Sequence, residues 1–261
     1  MRTVLSIAGS DCSGGAGIQA DLKTFTVHKL YGMSVITALT AQNTTGVSGI
    51  YEVAPEFVSQ QLDMVFSDIF PEAIKIGMVA DTSVIEVIAA KLVEYRAKNI
   101  VLDPVMISTS GSKLLKEEAV RALVHHLIPL ADIITPNIPE AEVLSGVSIR
   151  KSEDMEHAAK RIAASYSGNI LIKGGHLKER SDDLLYIGGR FQWFRQENID
   201  NPNTHGTGCT LSSAIACNLA LGRSVIDSIA AAKEYITGAL ETDLDLGKGR
   251  GPLNHCWNLS L

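Results

Sequence analysis

The chain of 261 residues is 46% hydrophobic and 20% charged, globular proportions that exclude a disordered or low-complexity protein. A formal charge of −6, with lysines and arginines scattered along the chain, excludes the basic footprint of a nucleic-acid binder. No apolar run reaches the ~18–20 residues of a membrane span, and four cysteines without CxxC spacing are too sparse for a disulfide framework.

The first apolar run is too short for a signal-peptide core, so a cytoplasmic location is expected. Thr3 to Ala8 reads as a buried strand, broken by the glycine-rich stretch from Gly9 to Gly17, with a helix to about Lys29. Gly15-x-Gly17-x-x-Ala20 formally fits a dinucleotide fingerprint. It fails as one, because the glycines follow the strand too late and no acidic residue lies between Asp21 and Glu52 to hold a ribose. Met33 to Ala41 predicts a second strand ending in the polar cluster Gln42 to Gly46, which suits either a ligand or a solvated loop.

Phe57, Val58, Leu62, Val65, Phe66 and Ile69 recur at helical spacing after Pro55. Ala73 to Met78 is a third strand. Asp81 or Thr82 caps the next helix, and Ile100 to Met106 is an apolar strand interrupted by Asp103. A helix from about Lys113 to Leu127 leads to a strand ending in Asn137 and Glu140, grouped around a proline that starts a helix. Such oxygens suit Mg²⁺, or equally a helix cap and its first turn. Ser152 to Ser165 is helical, Asn169 to Gly175 is a strand ending at Lys173, and Leu184 to Ile187 with Phe191 to Phe194 forms a hairpin. The glycine-rich turn Gly206-Thr-Gly-Cys209 opens an apolar helix, and Ser224 to about Leu240 forms the last long one, carrying Lys233.

Strands and helices alternate with no repeat or linker between residues 1 and 261, which predicts a single α/β domain with a mostly parallel sheet covered on both faces. Ligands of such sheets bind outside the carboxyl ends of the strands. The polar residues fall there: Gly9 to Asp11, Gln42, Met78, Asp103, Asn137 with Glu140, and Lys173. Gly206 to Cys209 adds a helix N-terminus, whose unpaired N–H groups attract an anion. A carboxylate pair, a lysine and an anion hole without a redox motif read as phosphoryl transfer.

The segments Ile7-Ala-Gly-Ser-Asp11, Gly14 to Phe25, Ala41-Gln-Asn-Thr44, Lys75-Ile-Gly-Met78, Asp103-Pro-Val-Met106, Thr135 to Glu142, Lys173-Gly-Gly-His176 and Gly206-Thr-Gly-Cys209 closely resemble the hydroxymethylpyrimidine/phosphomethylpyrimidine kinases of thiamine biosynthesis, in the ribokinase-like superfamily. The resemblance covers nearly the whole chain. It implies a three-layer α/β/α sandwich, a homodimer, and two successive phosphorylations of hydroxymethylpyrimidine with ATP and Mg²⁺. By the same resemblance Gln42 hydrogen-bonds the aminopyrimidine, while Gly9, Ala16, Asp21, Met78 and Val105 shape its pocket. Asp103 and Glu140 organise magnesium, Asn137 and Lys173 serve it and the ATP phosphates, Lys233 borders the nucleotide, and Gly206, Thr207, Gly208 and Cys209 receive the phosphoryl group. Cys12 stands where the family has proline. Cys209 replaces the aspartate base of the sugar kinases, and a helix N-terminus is expected to favour its thiolate. A cysteine-type pyridoxal kinase, a dual-activity enzyme and a non-catalytic vitamer-binding protein are the competing readings.

Overall fold

The computed structural model describes residues 1–106, 115–175, 181–242 and 244–259. Nine strands make one sheet: β1 (Thr3–Asp11), β2 (Tyr31–Asn43), β3 (Gly46–Glu52), β4 (Ala73–Ile76), β5 (Ile100–Leu102), β6 (Ile133–Ile134), β7 (Asn169–Ile172), β8 (Asp183–Ile187) and β9 (Arg190–Phe194), in the spatial order β3-β2-β1-β4-β5-β6-β7-β8-β9. The run from β2 to β7 is parallel, and β3, β8 and β9 add to its two ends antiparallel. From β1 the chain first steps to β2 on one side and later to β4 on the other. That reversal opens a crevice at the carboxyl ends of β1 and β4.

Side-chain alternation along the strands sorts the core into two layers. Leu5, Ile7, Ile74, Ile76, Ile100, Leu102, Ile134, Ile170 and Ile172 pack on one face against helices α2 (Pro55–Asp68), α3 (Thr82–Glu94), α4 (Glu117–Ala122) and α6 (Ser152–Ala163). Val4, Ala73, Val101, Ile133 and Leu171 pack on the other against α1 (Gly17–Val27), α7 (Thr207–Ala220) and α8 (Val225–Glu241). The remaining helix, α5 (Ile138–Ser145), begins where β6 leaves the sheet. Each leucine or isoleucine buried in these layers contributes about 1.5–3 kcal/mol. Helix α7 is buried without interruption from Thr210 to Ala220, sandwiched by α1 and α8, which explains its lack of a polar face.

Three local departures from the sequence reading have physical causes. β1 continues through Gly9 and Ser10 to Asp11, bending at a register shift between Ala8 and Ser10 instead of breaking. The polar stretch after Gln42 is a tight turn into β3, whose residues are all exposed and therefore lack the alternation that marks a half-buried strand. The helix expected from Lys113 begins, among the described residues, at Glu117; it loosens into a π-helical turn at Leu123–Leu127 and tightens at Ile128–Leu130, where Pro129 stops it.

The irregular tail is anchored by Leu253 and by His255, which is buried with its Nε2 3.0 Å from the Thr210 hydroxyl. Burial, assisted by Lys23, pulls the His255 pKa from 6.5 to about 4. The folded state therefore binds a proton less readily than the unfolded chain. The stability this histidine contributes is complete above about pH 6.5 and disappears as pH falls toward 4, amounting to about 3 kcal/mol. Thermal unfolding followed between pH 7 and pH 4 should show that loss, and His255→Gln should flatten this part of the profile.

Candidate active site

The turn Asn203 to Cys209 crosses the mouth of the crevice and joins two groups of side chains. Gly206, at the N-cap of α7, has a φ of +86°, and a Cβ there would lie 1.9 Å from the Gly15 carbonyl oxygen. Only glycine tolerates both the left-handed backbone and that contact. The first loop and the α7 turn are thereby pressed together.

On the β5–β7 side, Lys173 Nζ lies 2.7 Å from Asp103 Oδ1, which also accepts a hydrogen bond from the Thr135 hydroxyl at 3.1 Å. A Cβ on Gly208 would stand 3.2 Å from Asp103 Oδ2 and 3.3 Å from Lys173 Nζ, so this residue brings bare backbone up to the ion pair. Burial opposes the lysine's charge, but Asp103 and Glu140 more than offset it and raise its pKa. Glu140 is raised too, by burial first, against the pull of Lys173.

Asn137 and Glu140 form a reciprocal cap at the start of α5: the Asn137 side chain accepts from the Glu140 N–H at 3.0 Å, and Glu140 Oε2 accepts from the Asn137 N–H at 2.9 Å. Glu140 Oε1 accepts from the Met106 N–H at 3.0 Å, fixing the strand end that carries Asp103 and Val105. Val105 has a φ of +42°, an unfavourable conformation for a β-branched residue that costs of the order of 1–3 kcal/mol. The Glu140 hydrogen bond one residue later helps to hold it.

On the β1–β2 side, Asp11 gathers five donors. Its Oδ1 accepts from the Ser13 N–H and hydroxyl at 2.8 and 2.7 Å; its Oδ2 accepts from the Gly15 and Ala16 N–H groups at 3.1 and 2.8 Å and from His205 Nε2 at 2.8 Å. Burial works against its charge, yet these bonds, led by His205, hold the carboxyl well below the usual carboxylate range. Gln42 reaches the same imidazole, nitrogen to nitrogen at 3.5 Å. Cys12, in place of a proline, ties the first loop to β2, with its Sγ 3.2 Å from the Gln42 carbonyl oxygen and 3.4 Å from its backbone nitrogen. Gly9 leaves room for the Met78 methyl, which a Cβ would approach to 2.9 Å. A cavity of about 350 Å³ opens beside Met78, lined among others by Thr37, Ala38, Ile50 and Val84.

Most of the residues singled out in the sequence thus meet at one rim, but two do not. Asp21 was expected in the substrate pocket. It is wholly buried beneath it, with Lys75 Nζ 2.8 Å from both carboxylate oxygens and the Ser6 and Ser213 hydroxyls donating to it at 2.5 and 2.8 Å. Lys233 lies to one side, 2.7 Å from Asp183 Oδ2, and Asp183 Oδ1 accepts from the Gly174 N–H next to Lys173. The expectation for Cys209 is also corrected. Burial pushes its thiol pKa up; nearby Lys75 and a Gly17 backbone hydrogen bond pull the other way, while Asp21 and Asp103 add to the rise. Sequence reasoning assigned no role to His205, Lys75 or Thr135. A histidine immediately before Gly206 was the one available signal, and it had no partner until the fold supplied Asp11.

The family model for phosphomethylpyrimidine kinase matches residues 11–254. The chain belongs to the phosphomethylpyrimidine kinase family. A thiamine biosynthesis bifunctional protein from Geobacter sulfurreducens is 52% identical over 97% of this chain, which spans only 52% of that longer relative. The crystal structure of a phosphomethylpyrimidine kinase from Clostridium difficile is 47% identical, with a TM-score of 0.84 over 92% of this chain and 100% of that one. Bacillus subtilis pyridoxal kinase, solved as an ADP complex, is 40% identical, with a TM-score of 0.90 over 98% of both chains. The α/β/α architecture expected from the resemblance is the one observed, and family members and pyridoxal kinases share it. Among the described residues no helix is long and apolar enough to cross a membrane.

Proposed function

We propose that this chain phosphorylates the hydroxymethyl group of 4-amino-5-hydroxymethyl-2-methylpyrimidine, and then the resulting monophosphate, using ATP in thiamine biosynthesis. The observation that carries the proposal is the bare Gly208 backbone facing the Asp103–Lys173 pair, with Cys209 beside it at the start of α7. A phosphoryl group placed there meets helix N–H donors and a lysine on one side and a proton acceptor for the attacking alcohol on the other. Phosphoryl transfer needs mainly positioning and charge neutralisation, which this arrangement supplies.

The residues present fit a magnesium ion. Asp103 and Glu140 set two carboxylates against one lysine, and this surplus of negative charge suits a divalent cation. Among the described residues no three His, Cys, Asp or Glu side chains cluster as a cage. Mg²⁺ takes one or two protein carboxylates and completes its shell with water and nucleotide phosphates. When bound, the ion neutralises charge on those phosphates. Lys173 orients the transferred group, Thr135 and Lys173 hold Asp103, and Glu140 keeps the Asp103 to Met106 segment in its strained course.

Gln42, Gly9, Ala16, Met78 and Val105 form the alcohol side of the site in this reading, with Asn137 and Lys233 toward the nucleotide. Assembly as a homodimer, also part of the reading, would cover apolar side chains exposed on the β2–β3 hairpin, including Leu39, Val47, Ile50 and Tyr51. The Bacillus pyridoxal kinase supports a second reading, in which pyridoxal is the alcohol, because its fold matches this chain along nearly the full length. Turnover of hydroxymethylpyrimidine and of pyridoxal with Mg-ATP decides between them. Preference for the pyrimidine is expected; preference for pyridoxal overturns the first reading. Binding of either vitamer without ADP formation would indicate a non-catalytic binding protein.

A further inference from the structure

We propose that His205 is a positioning residue that, pinned by Asp11, fixes which way the Gln42 carboxamide faces and so sets the hydrogen-bond pattern offered to the ring of the alcohol. The proposal rests on the kinase reading above, and it concerns a residue outside the Asp103, Lys173 and Cys209 group described there.

Asp11 accepts at both oxygens from donors that the fold supplies regardless of any ligand: the Ser13, Gly15 and Ala16 N–H groups and the Ser13 hydroxyl. A carboxylate so surrounded stays ionised and acts only as an acceptor. His205 Nε2, 2.8 Å from Asp11 Oδ2, must therefore carry the proton. The imidazole lies against the bare Gly15 backbone. A Cβ on Gly15 would be 2.4 Å from its Cδ2, and the His205 backbone N–H is tied to the Gly251 carbonyl at 3.2 Å.

Gln42 Nε2 stands 3.5 Å from this same protonated nitrogen, so two donors face each other. The oxygen and nitrogen of a glutamine amide are told apart by their partners. Turning the carboxamide by half a turn faces Oε1 to the imidazole N–H, which keeps its hydrogen bond to Asp11 and takes Oε1 only as a longer second acceptor, and directs the NH₂ group away from it. In that orientation Gln42 offers a donor to a ring nitrogen of a flat aza-aromatic alcohol. In the opposite one it would offer an acceptor and repel that nitrogen. Asp11, His205 and Gln42 act as a chain from the first loop through the α7 turn to β2, in which a carboxylate at one end selects the face shown by an amide at the other.

The test compares His205→Ala with His205→Gln, whose side-chain NH₂ can take the place of the Nε2–H. For the alanine variant, KM for hydroxymethylpyrimidine should rise about ten- to thirtyfold, the size of one hydrogen bond lost from a polar site. Its kcat and KM for ATP should stay within about threefold, and the glutamine variant should recover most of the loss. An unchanged KM in the alanine variant, or equal impairment of both variants, overturns the proposal. Independently of any variant, ¹⁵N NMR of the wild-type imidazole should show the Nε2–H tautomer, and the Nδ1–H tautomer also overturns it. A wild-type protein that phosphorylates no pyrimidine refutes the pyrimidine-kinase reading on which this rests; an active wild type with indifferent His205 variants refutes only this inference.

Discussion

Replacing Cys209 by alanine is expected to lower kcat by about 10²- to 10⁴-fold, while KM for the alcohol changes by no more than about threefold. On the proposed reading the sulfur, one residue beyond Gly208, whose backbone faces the Asp103–Lys173 pair, works at the bond being made and not at the ring of the substrate. Its loss removes a proton acceptor and leaves the helix N–H groups and Lys173 in place. Because burial raises the thiol pKa, most of the protein carries a neutral Cys209 at pH 7. Only the thiolate can accept the proton, so kcat should climb with pH through the raised pKa and level off above it. Cys209→Asp should move that climb to lower pH, since a carboxyl in the same buried position starts from a far lower pKa than a thiol. Alanine-variant turnover equal to wild type would exclude the thiol as base.

How much of this was readable beforehand follows from what each residue's signal depends on. The alternation of strand and helix, and the clustering of polar residues at strand ends, depend on short-range pattern, and the sheet and its rim follow from them. β3 escaped notice because both of its faces are exposed, so burial imposed no period on its sequence. Asn137 and Glu140 were legible as a cap and as cation ligands alike, and the reciprocal hydrogen bonds show that the capping role at least is met. Asp21 could not be placed, because its partner Lys75 lies 54 residues away on a different element. His205 was silent for the same reason: Asp11 is separated from it by 194 residues. The Cys209 thiol was misjudged because a helix N-terminus is a local feature, whereas desolvation is set by everything packed around it.

Lys75→Met is expected to destabilise the fold by about 3–5 kcal/mol, read as a fall in the urea midpoint at unchanged m-value. Lys75 points from β4 into the layer shared by α1 and α7, where neither it nor Asp21 is exposed at all. Burial alone would drive the lysine neutral, but the Asp21 carboxylate more than offsets this and holds its pKa above the ordinary value. Methionine fills the same space and leaves Asp21 as an uncompensated buried charge, with only the Ser6 and Ser213 hydroxyls to stabilise it. Adding Asp21→Asn removes that charge and should return most of the lost stability, because two neutral groups of similar volume are far cheaper to bury than one ion. Activity separates the roles. Ser213, one helical turn beyond Cys209 on α7, donates to Asp21, and Lys75 lowers the Cys209 pKa, so Lys75 is a source of positive potential near the thiol as well as a structural partner. The Asp21→Asn/Lys75→Met protein should therefore regain stability and keep a pH profile close to the wild type's, because it loses one group that lowers the Cys209 pKa and one that raises it, whereas Lys75→Met alone should displace the rising limb to higher pH. A double variant that is as unstable as Lys75→Met alone would show that the ion pair is not what holds α1, α7 and β4 together.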